Sequence, residues 1–482
     1  MDNGHEYDVI VAGAGLAGNL AAAGAAKAGL NVLLLDKNKP EEPGKKTNWG
    51  WVCGDAVAVQ HLNFVKDHLG LSFSKPELDV QVDGVIAYSP DMESKFLFDG
   101  EGYVLDRPEF ERKLRDFAVK SGAHYVPQFD VEGPLIEENS VKGIFGKDKD
   151  MKHMEIRAKV VVDALGIATN LRRKLPDNPY IDRVVDVEDV ESTGRYIYDM
   201  EVTEEDPRYY DPKNALIHLN QTISPGGYGW VFPKSQYGRV NIGIGVQRAS
   251  LIIRNQKLGK NDTLHSLMDE YVRWVPNLKN PKPFMKDNNG KGYWSVAVRR
   301  QLECLVYNGY IGAGDSMAMP NPISAGGIGP ALVSGVLAGE HAARAVHDRD
   351  AGMKNLWQYN LDFNTAYGSK TAGMEVFRTY LQSLNNETIN YGMKNFLSTK
   401  EAEDLCYGRT PELSLAGKFK MVLKGAGNIS AFSNLVYAVK KMKRLNALYE
   451  QYPKTMEEFP KWRQQVTAEV EETKQRFQPN PI

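Results

Sequence analysis

The sequence predicts an α/β protein: a doubly wound parallel-sheet domain interrupted by an antiparallel β-sheet domain and followed by a helical C-terminal region. Three observations carry this expectation. Near the start a strand, a glycine-rich turn, a helix and a second strand follow in order, with Gly13, Gly15 and Gly18 in the turn and Asp36 ending the second strand. From about residue 171 to 294 the texture changes to short alternating strands, aromatics and Asx/Pro turns, which read as a largely antiparallel sheet. "LVYNGYIGAGD" from Leu305 then returns to buried-strand texture, and beyond about 350 the pattern is mainly helical. The economical division assigns residues 1–70, 103–170 and 295–350 to a discontinuous nucleotide-binding domain, 71–102 and 171–294 to a substrate domain, and 351–482 to the helical region.

Each element has its own justification. Tyr7 to Ala12 is a continuous apolar run, the mark of a strand buried on both faces; an Ala-rich helix follows it and stops near Gly29, and "NVLLLDK" is the next buried strand. In this Rossmann-type unit Gly13 permits the tight turn, Gly15 lets backbone approach a pyrophosphate at the helix N-terminus, Gly18 allows close packing, and Asp36 can accept from ribose hydroxyls. Asp106 can cap a helix that has Pro108 in its first turn and Glu109 three residues after the cap, with Phe110, Leu114 and Phe117 inward and Gly122 as its stop. Residues 151–165 alternate and end in the apolar "KVVVDALG".

"SPGGYGWVFPKS" places Tyr228, Trp230 and Phe232 on one strand face, since side chains two apart point the same way. The next strand, "RVNIGIGV", puts Val240, Ile242, Ile244 and Val246 on one side and Asn241, Gly243 and Gly245 on the other. If Lys234 to Arg239 form a hairpin loop, the rings stand near a bare backbone surface where a flat or long apolar ligand fits. A packed sheet core accounts for the same alternation. After the later strand come Gly314-Asp315, Pro322 and the run Gly326-Gly327-Ile328-Gly329, which opens a small-residue helix.

Composition bounds the function classes. At 482 residues, 42% hydrophobic and 25% charged, the chain has room for two or three domains with substantial cores. A formal charge of -2 argues against a general nucleic-acid binder. Cys53, Cys304 and Cys406 are widely separated and form no CxxC pair, which supports neither a disulfide framework nor a thiolate-held metal or iron–sulfur site; no metal is expected, and a reducing cytoplasmic setting is. The start lacks a basic n-region before an apolar run. Val9 to Ala26 approaches membrane-span length, but its Gly, Ala and Asn19 content reads as strand, turn and helix.

At "GYIGAGDSMAMPNPISAGGIGPALVSG" the chain resembles the flavin-dependent family typified by p-hydroxybenzoate hydroxylase. The resemblance implies FAD, with Gly314 and Asp315 against its ribityl and pyrophosphate part and Gly326, Gly327 and Ile328 presenting a helix N-terminus to the flavin pyrimidine. Free amides and a positive dipole end there stabilise negative charge on a reduced flavin. "YVLDRPEFERKL" resembles the family's arginine-bearing segment, which makes Arg107 an FAD contact; "VVVDALGIATNLRR" matches its Asp-Gly segment only loosely, because Asp163 is followed by Ala-Leu-Gly.

A narrower likeness lies in Pro225-x-x-Tyr228-x-Trp230-x-Phe232-Pro233, which resembles the PxxYxWxFP pattern of geranylgeranyl reductases, enzymes that saturate polyprenyl chains; "GWVCGDAV" resembles their cysteine-bearing segment. These motifs span about residues 5 to 350 and leave the rest uncovered. They imply FAD-dependent hydrogenation of isolated double bonds in geranylgeranyl chains of ether lipids or of the diphosphate, with Tyr228, Trp230 and Phe232 as pocket wall. Flavin N5 would deliver hydride to one carbon, and Cys53, Tyr228 or an ordered water would give the proton to the other. Cys53 is expected at or near a helix N-terminus, where a thiol pKa falls, or else is a small buried hydrophobe; Cys304, in a strand, and Cys406, in the helical region, are read as structural.

Three other readings share the fold. One is an oxygen-using hydroxylase or a halogenase, although Tyr228 and Phe232 depart from the halogenase WxWxIP strand; another is an electron-transfer flavoprotein; the last is a lipid-binding flavoprotein without turnover. Ferredoxin and NAD(P)H both stay open as electron donor, since no second strand-associated GxGxxG occurs and "GAGN" at Gly425 lacks a strand before it. Between Ser414 and Tyr449 stand Lys418, Lys420, Lys424, Lys440, Lys441, Lys443 and Arg444 with no acidic residue, and Leu435, Val439 and Met442 recur at helical spacing. That stretch, 414–449, reads as a basic amphipathic helix for an anionic membrane surface or as a solvated helix packed on the body.

Overall fold

Continuous apolar runs build the first sheet. Strand Glu6–Ala12 pairs in parallel with Val32–Asp36 on one side and His153–Asp163 on the other; His124–Pro127 and Tyr310–Gly312 extend the sheet outward, again in parallel. Val9, Ile10, Val11, Leu33, Leu34, Val160, Val161 and Val162 are fully buried, as both faces of a helix-covered sheet require. The structure, a computed structural model, describes residues 6–39, 52–202, 206–276, 278–283, 291–411 and 426–482.

Helices Leu16–Lys27 and Ile328–His347 lie back to back through small residues. A Cβ on Gly335 would come 2.4 Å from the Ala17 carbonyl oxygen, and one on Gly339 2.6 Å from that of Ala21. The Gly/Ala bias of the first helix is therefore a packing requirement. Among the described residues no helix is long and apolar enough to cross a membrane. Helix Arg107–Lys120 starts as its sequence demands, with the Glu109 amide donating to Asp106 Oδ1 at 3.2 Å. A hairpin, Asp130–Glu137 with Ser140–Lys147, is added antiparallel to His153–Asp163.

The second sheet runs in the order Leu278–Pro283, Val190–Val202, Arg239–Gln247, Gly229–Pro233, Asn214–His218, Leu78–Tyr88, Lys95–Leu105 and Ala56–Ala58; Gly292–Ala297 also pairs with Val190–Val202. Asn214–His218 and Leu78–Tyr88 are parallel, and the other pairs are antiparallel. Two helices, Arg248–Leu258 and Leu264–Trp274, stand within the stretch read from sequence as a largely antiparallel sheet, where no helix is expected. The second carries a Thr263/Ser266 capping box, and its Leu267, Met268, Tyr271 and Val272 pack on Val240, Ile242, Ile244 and Val246. This covers the apolar side of the glycine-bearing strand and leaves its other side open to the interior of the molecule.

Beyond residue 350 the described chain is helical, ending in Ala426–Glu450 and Phe459–Arg476. In the former, Leu435, Val439 and Met442 are buried, Lys441 is paired with Glu469 and Glu472, and Arg444 lies 2.8 Å from Glu469. The apolar stripe thus faces the body, not outward, and two of the basic residues are neutralised by the last helix. Lys440 and Lys443 are exposed, while Lys418, Lys420 and Lys424, like Gly425, lie outside the described residues.

Candidate active site

The two sheets and the C-terminal helices enclose one cavity of about 1520 Å³. Its nucleotide end is shaped by glycine positions that differ in purpose. At Gly13, φ is +98° and a Cβ would meet the Ala164 carbonyl oxygen at 2.3 Å; at Gly18 it would meet the Gly13 carbonyl oxygen at 1.7 Å. At Gly15 a Cβ would meet nothing within 4 Å. Gly13 and Gly18 therefore close the turn, and Gly15 keeps space for a ligand. Gly13 and Gly15 line the cavity, whereas Gly18 stands behind the turn. Asp36 accepts from the Ala14 amide (2.8 Å) and the Asn38 amide (2.7 Å), fixing the loop and leaving further acceptor capacity toward the cavity.

Gly314 (φ +66°) donates its amide to Ser334 Oγ at 3.0 Å and brings Asp315 to the same space, where burial pushes that carboxyl up to about 6. Gly326, Gly327 and Ile328 also line it. Helices Leu16–Lys27 and Ile328–His347 both begin there without a side-chain cap, so two sets of free amides face one cavity. Arg107 ion-pairs with Glu111 and lies 3.8 Å from Asp55 Oδ1, yet neither its buried Nε nor that oxygen has a hydrogen-bond partner among the described residues. An open glycine cradle, two uncapped helix starts and an orphaned guanidinium nitrogen fit FAD. Asp163 does not reach the cavity: it accepts from Thr169 (2.6 Å) and Tyr310 (2.8 Å) and shapes the turn behind Ala164 and Leu165.

The other end is the aromatic hairpin. Its strands stop at Pro233 and restart at Arg239, with Trp230 opposite Gly243 and Phe232 opposite Asn241. A Cβ on Gly243 would lie 2.1 Å from the Trp230 ring, and one on Gly54 would lie 2.5 Å from Phe232, so glycines receive both rings. Trp230 Nε1 donates to Asn241 Oδ1 at 3.0 Å, and Asn241 Nδ2 donates to the Cys53 carbonyl and to Asp55 Oδ2, both at 2.8 Å. The Tyr228 hydroxyl donates to the Ser324 carbonyl, and burial raises its pKa. All three rings line the cavity although Trp230 and Phe232 also pack on Val82, Val104 and Ala215, so wall and core readings both apply.

Cross-strand register extends the wall. Trp230 stands opposite Ile217, Ile217 opposite Ala87, and Ala87 opposite Phe96, and all of them line the cavity. Paired residues share a face, so this row crosses three strand spacings of about 4.8 Å, roughly 14 Å of apolar floor. Phe377, Leu381, Leu384, Ile389 and Met393 supply the facing wall. The C-terminal region, for which no motif spoke, thus completes the slot.

Cys53 lines the cavity but does not stand at a helix start. It precedes strand Ala56–Ala58, accepts from the Asp55 amide at 3.3 Å, and burial pushes its thiol up, not down. Cys304 is buried in a loop before the strand Val306–Tyr307, and Cys406, pushed up to about 12, reaches the cavity from helix Thr399–Cys406. Sequence reasoning missed His61, whose ring rests on Gly329 and whose buried Nδ1 has no partner; burial pushes it down to about 4, so it is neutral. It also missed Glu191, which lines the cavity beside the hairpin. Both depend on contacts with glycines distant in sequence, Gly329 for His61 and Gly227 and Gly245 for Glu191, which leave no local signal.

Comparison with known proteins agrees with this architecture. Residues 189–280 match the geranylgeranyl reductase catalytic domain, and residues 8–50 match an FAD binding domain. A geranylgeranyl bacteriochlorophyll reductase-like structure from Thermoplasma acidophilum has a TM-score of 0.70 at 23% identity, covering 92% of this chain and 99% of that one. A halogenase solved with phloroglucinol and FAD has a TM-score of 0.60 at 14% identity, covering 98% of this chain and 97% of its own. The fold is that of FAD-dependent enzymes, and FAD is the cofactor of the protein. A digeranylgeranylglycerophospholipid reductase from Methanococcoides burtonii is 28% identical over 80% of this chain and 86% of its own. One from Sulfolobus acidocaldarius is 32% identical over 96% of both. The chain belongs to the digeranylgeranylglycerophospholipid reductase family.

Proposed function

We propose that the protein hydrogenates isolated double bonds in the geranylgeranyl chains of isoprenoid ether phospholipids. The observation that carries this reading is one cavity with a dinucleotide cradle at one end and an aromatic, apolar slot at the other. Its volume exceeds the roughly 300–1,000 Å³ of a single small-molecule site, as two occupants require. When bound and reduced, FAD supplies the hydride.

The chain's own residues set the conditions for that transfer. Cys53, Tyr228 and Trp230 exclude water around the alkene, and the ring faces of Tyr228 and Trp230 stabilise positive character on the carbon not yet bonded. Tyr228 is held in place by its bond to Ser324, which commits its hydroxyl hydrogen. The Cys53 thiol, raised by burial, stays protonated at neutral pH and cannot act as a thiolate nucleophile. The slot fits an uninterrupted prenyl chain better than the compact arene of a hydroxylase or halogenase substrate.

The test is anaerobic incubation of the dithionite-reduced holoprotein with digeranylgeranylglyceryl phospholipid, read by mass spectrometry. The reading expects a gain of two hydrogens per bond. Unchanged lipid under these conditions would overturn it, and oxygen or halogen incorporation under air with halide would support the alternative chemistry.

A further inference from the structure

A carboxyl group stands in the wall of the apolar slot. Glu191 is buried near the start of strand Val190–Val202. In that strand's pairing with Arg239–Gln247, Glu191 stands opposite Gln247, Thr193 opposite Gly245, and Arg195 opposite Gly243. Gly243 is in turn opposite Trp230, so Glu191 lies on the same sheet face as the aromatic row. Two bare glycines make room for it. A Cβ on Gly245 would come 2.8 Å from Glu191 Oε2, and one on Gly227 3.3 Å, placing that oxygen in a hollow beside Tyr228.

The rest of its surroundings is polar but not cationic toward Oε2. Oε1 accepts from Gln382 Nε2 at 3.3 Å, and among the described residues no group donates to Oε2. Arg378, on helix Met374–Gln382, is the charged neighbour, and it is held by Asp189 at 2.8 Å and lies 3.9 Å from Glu375; Asp189 also takes Lys474 at 2.7 Å. Glu191 makes no ion pair with any of them. Burial pushes its carboxyl up to about 7, against the opposing pull of Arg378 and Gln382. Of the other candidate acids in the cavity, Tyr228 is committed to Ser324, Asp315 lies at the nucleotide end against Gly327, and the Cys53 thiol, which burial keeps protonated, is the competing donor that C53A tests.

We infer that Glu191 is the proton donor of the reduction, delivering its Oε2 proton to the alkene carbon opposite the one that takes hydride. This rests on the reductase reading above. The carbon–carbon π bond breaks and two C–H bonds form, one from the hydride that reduced FAD supplies and one from the Glu191 O–H, which breaks to leave a carboxylate. The flavin is left oxidised, to be reduced again by the external electron donor, and the carboxylate regains its proton from solvent.

The acid form is the active one, so the rate is full below about pH 7 and falls tenfold per unit above it. The experiment is single-turnover reoxidation of dithionite-reduced holoprotein by digeranylgeranylglyceryl phospholipid in micelles, across pH, for wild type, E191Q, E191D and C53A. Expected is a loss of about 10²–10⁴-fold in E191Q with disappearance of the alkaline limb, and partial recovery in E191D. Flavin content and binding of the fully saturated lipid, read by tryptophan fluorescence quenching, stay at wild-type levels. Difference infrared spectra between wild type and E191Q show a protonated carboxyl below pH 7 that is lost above it. An E191Q protein with wild-type rate and pH profile, or removal of the limb by C53A instead, overturns the inference. Failure of wild type itself to reduce the lipid overturns the reductase reading and is seen separately, in the control.

Discussion

At the scale of single residues, the site is defined as much by where side chains are missing as by where they are present. Gly15 and Gly18 sit three apart in one turn, and the space around them predicts opposite phenotypes. G15A should fold with wild-type stability but lose flavin, because its methyl group enters the ligand's space. G18A places a methyl group against the Gly13 carbonyl and should cost about 1–3 kcal/mol, or fail to fold, as overpacking does. Thermal melting with flavin retention separates the two, and equal behaviour of both variants would contradict this account. Cys53 gives a second prediction. Its thiol is raised by burial, with Asp55 adding to the rise and Arg107 opposing it. Alkylation by iodoacetamide should therefore be slow at neutral pH and still be rising beyond pH 9; a rate that plateaus below pH 8 would show a depressed thiol instead.

At the scale of elements, the strands and helices that carry motifs were legible and those that act through partners were not. The first strand, the glycine turn and the capped helix at Asp106 follow from local chemistry, and alternation gives the ring face and the bare glycine face of the hairpin, while the register that sets Trp230 over Gly243 is fixed only by the pairing. Glu191 was invisible because its neighbourhood is made by two other strands and by Gln382, far away in sequence. The helical wall was invisible because an apolar stripe has the same spacing whether it meets a core or a cavity. Helix Met374–Gln382 is held to the body by buried ion pairs of Glu375 with Arg300 and Arg378 with Asp189, and Glu303 fixes Arg300 and Arg299 from the other side, the latter at 3.1 Å. Arg300 and Arg299 hold the Glu303 carboxyl down at about 2, although burial alone would raise it. Because the folded value is depressed, this stabilisation is complete above about pH 4.5 and is lost as pH falls toward 2. E303Q should cost about 3–5 kcal/mol at neutral pH and flatten the acid limb of the stability curve. Chemical denaturation at several pH values measures both, and an unchanged acid limb would remove Glu303 from this role.

At the scale of the whole molecule, the two sheets and the C-terminal helices are separate in sequence but share one chamber, and their arrangement sets how far a prenyl chain can pass. The row from Trp230 through Ile217 and Ala87 to Phe96 ends against Ile389, Met393 and Ala402. For successive double bonds of a geranylgeranyl chain to reach the same reacting position near Trp230, the chain must slide along this floor and its leading end must find room. Met393 stands at that end. In M393W the added ring volume should stop the chain short, so that geranylgeranyl lipid accumulates as a product retaining at least one double bond while farnesyl analogues, shorter by one unit, are still saturated. M393A should do the reverse and speed the last reduction. Mass spectrometry of the product ladder reads both variants with both chain lengths. A ladder that is the same in wild type, M393W and M393A would mean that the leading end travels elsewhere, and that the C-terminal wall closes the chamber without measuring the chain.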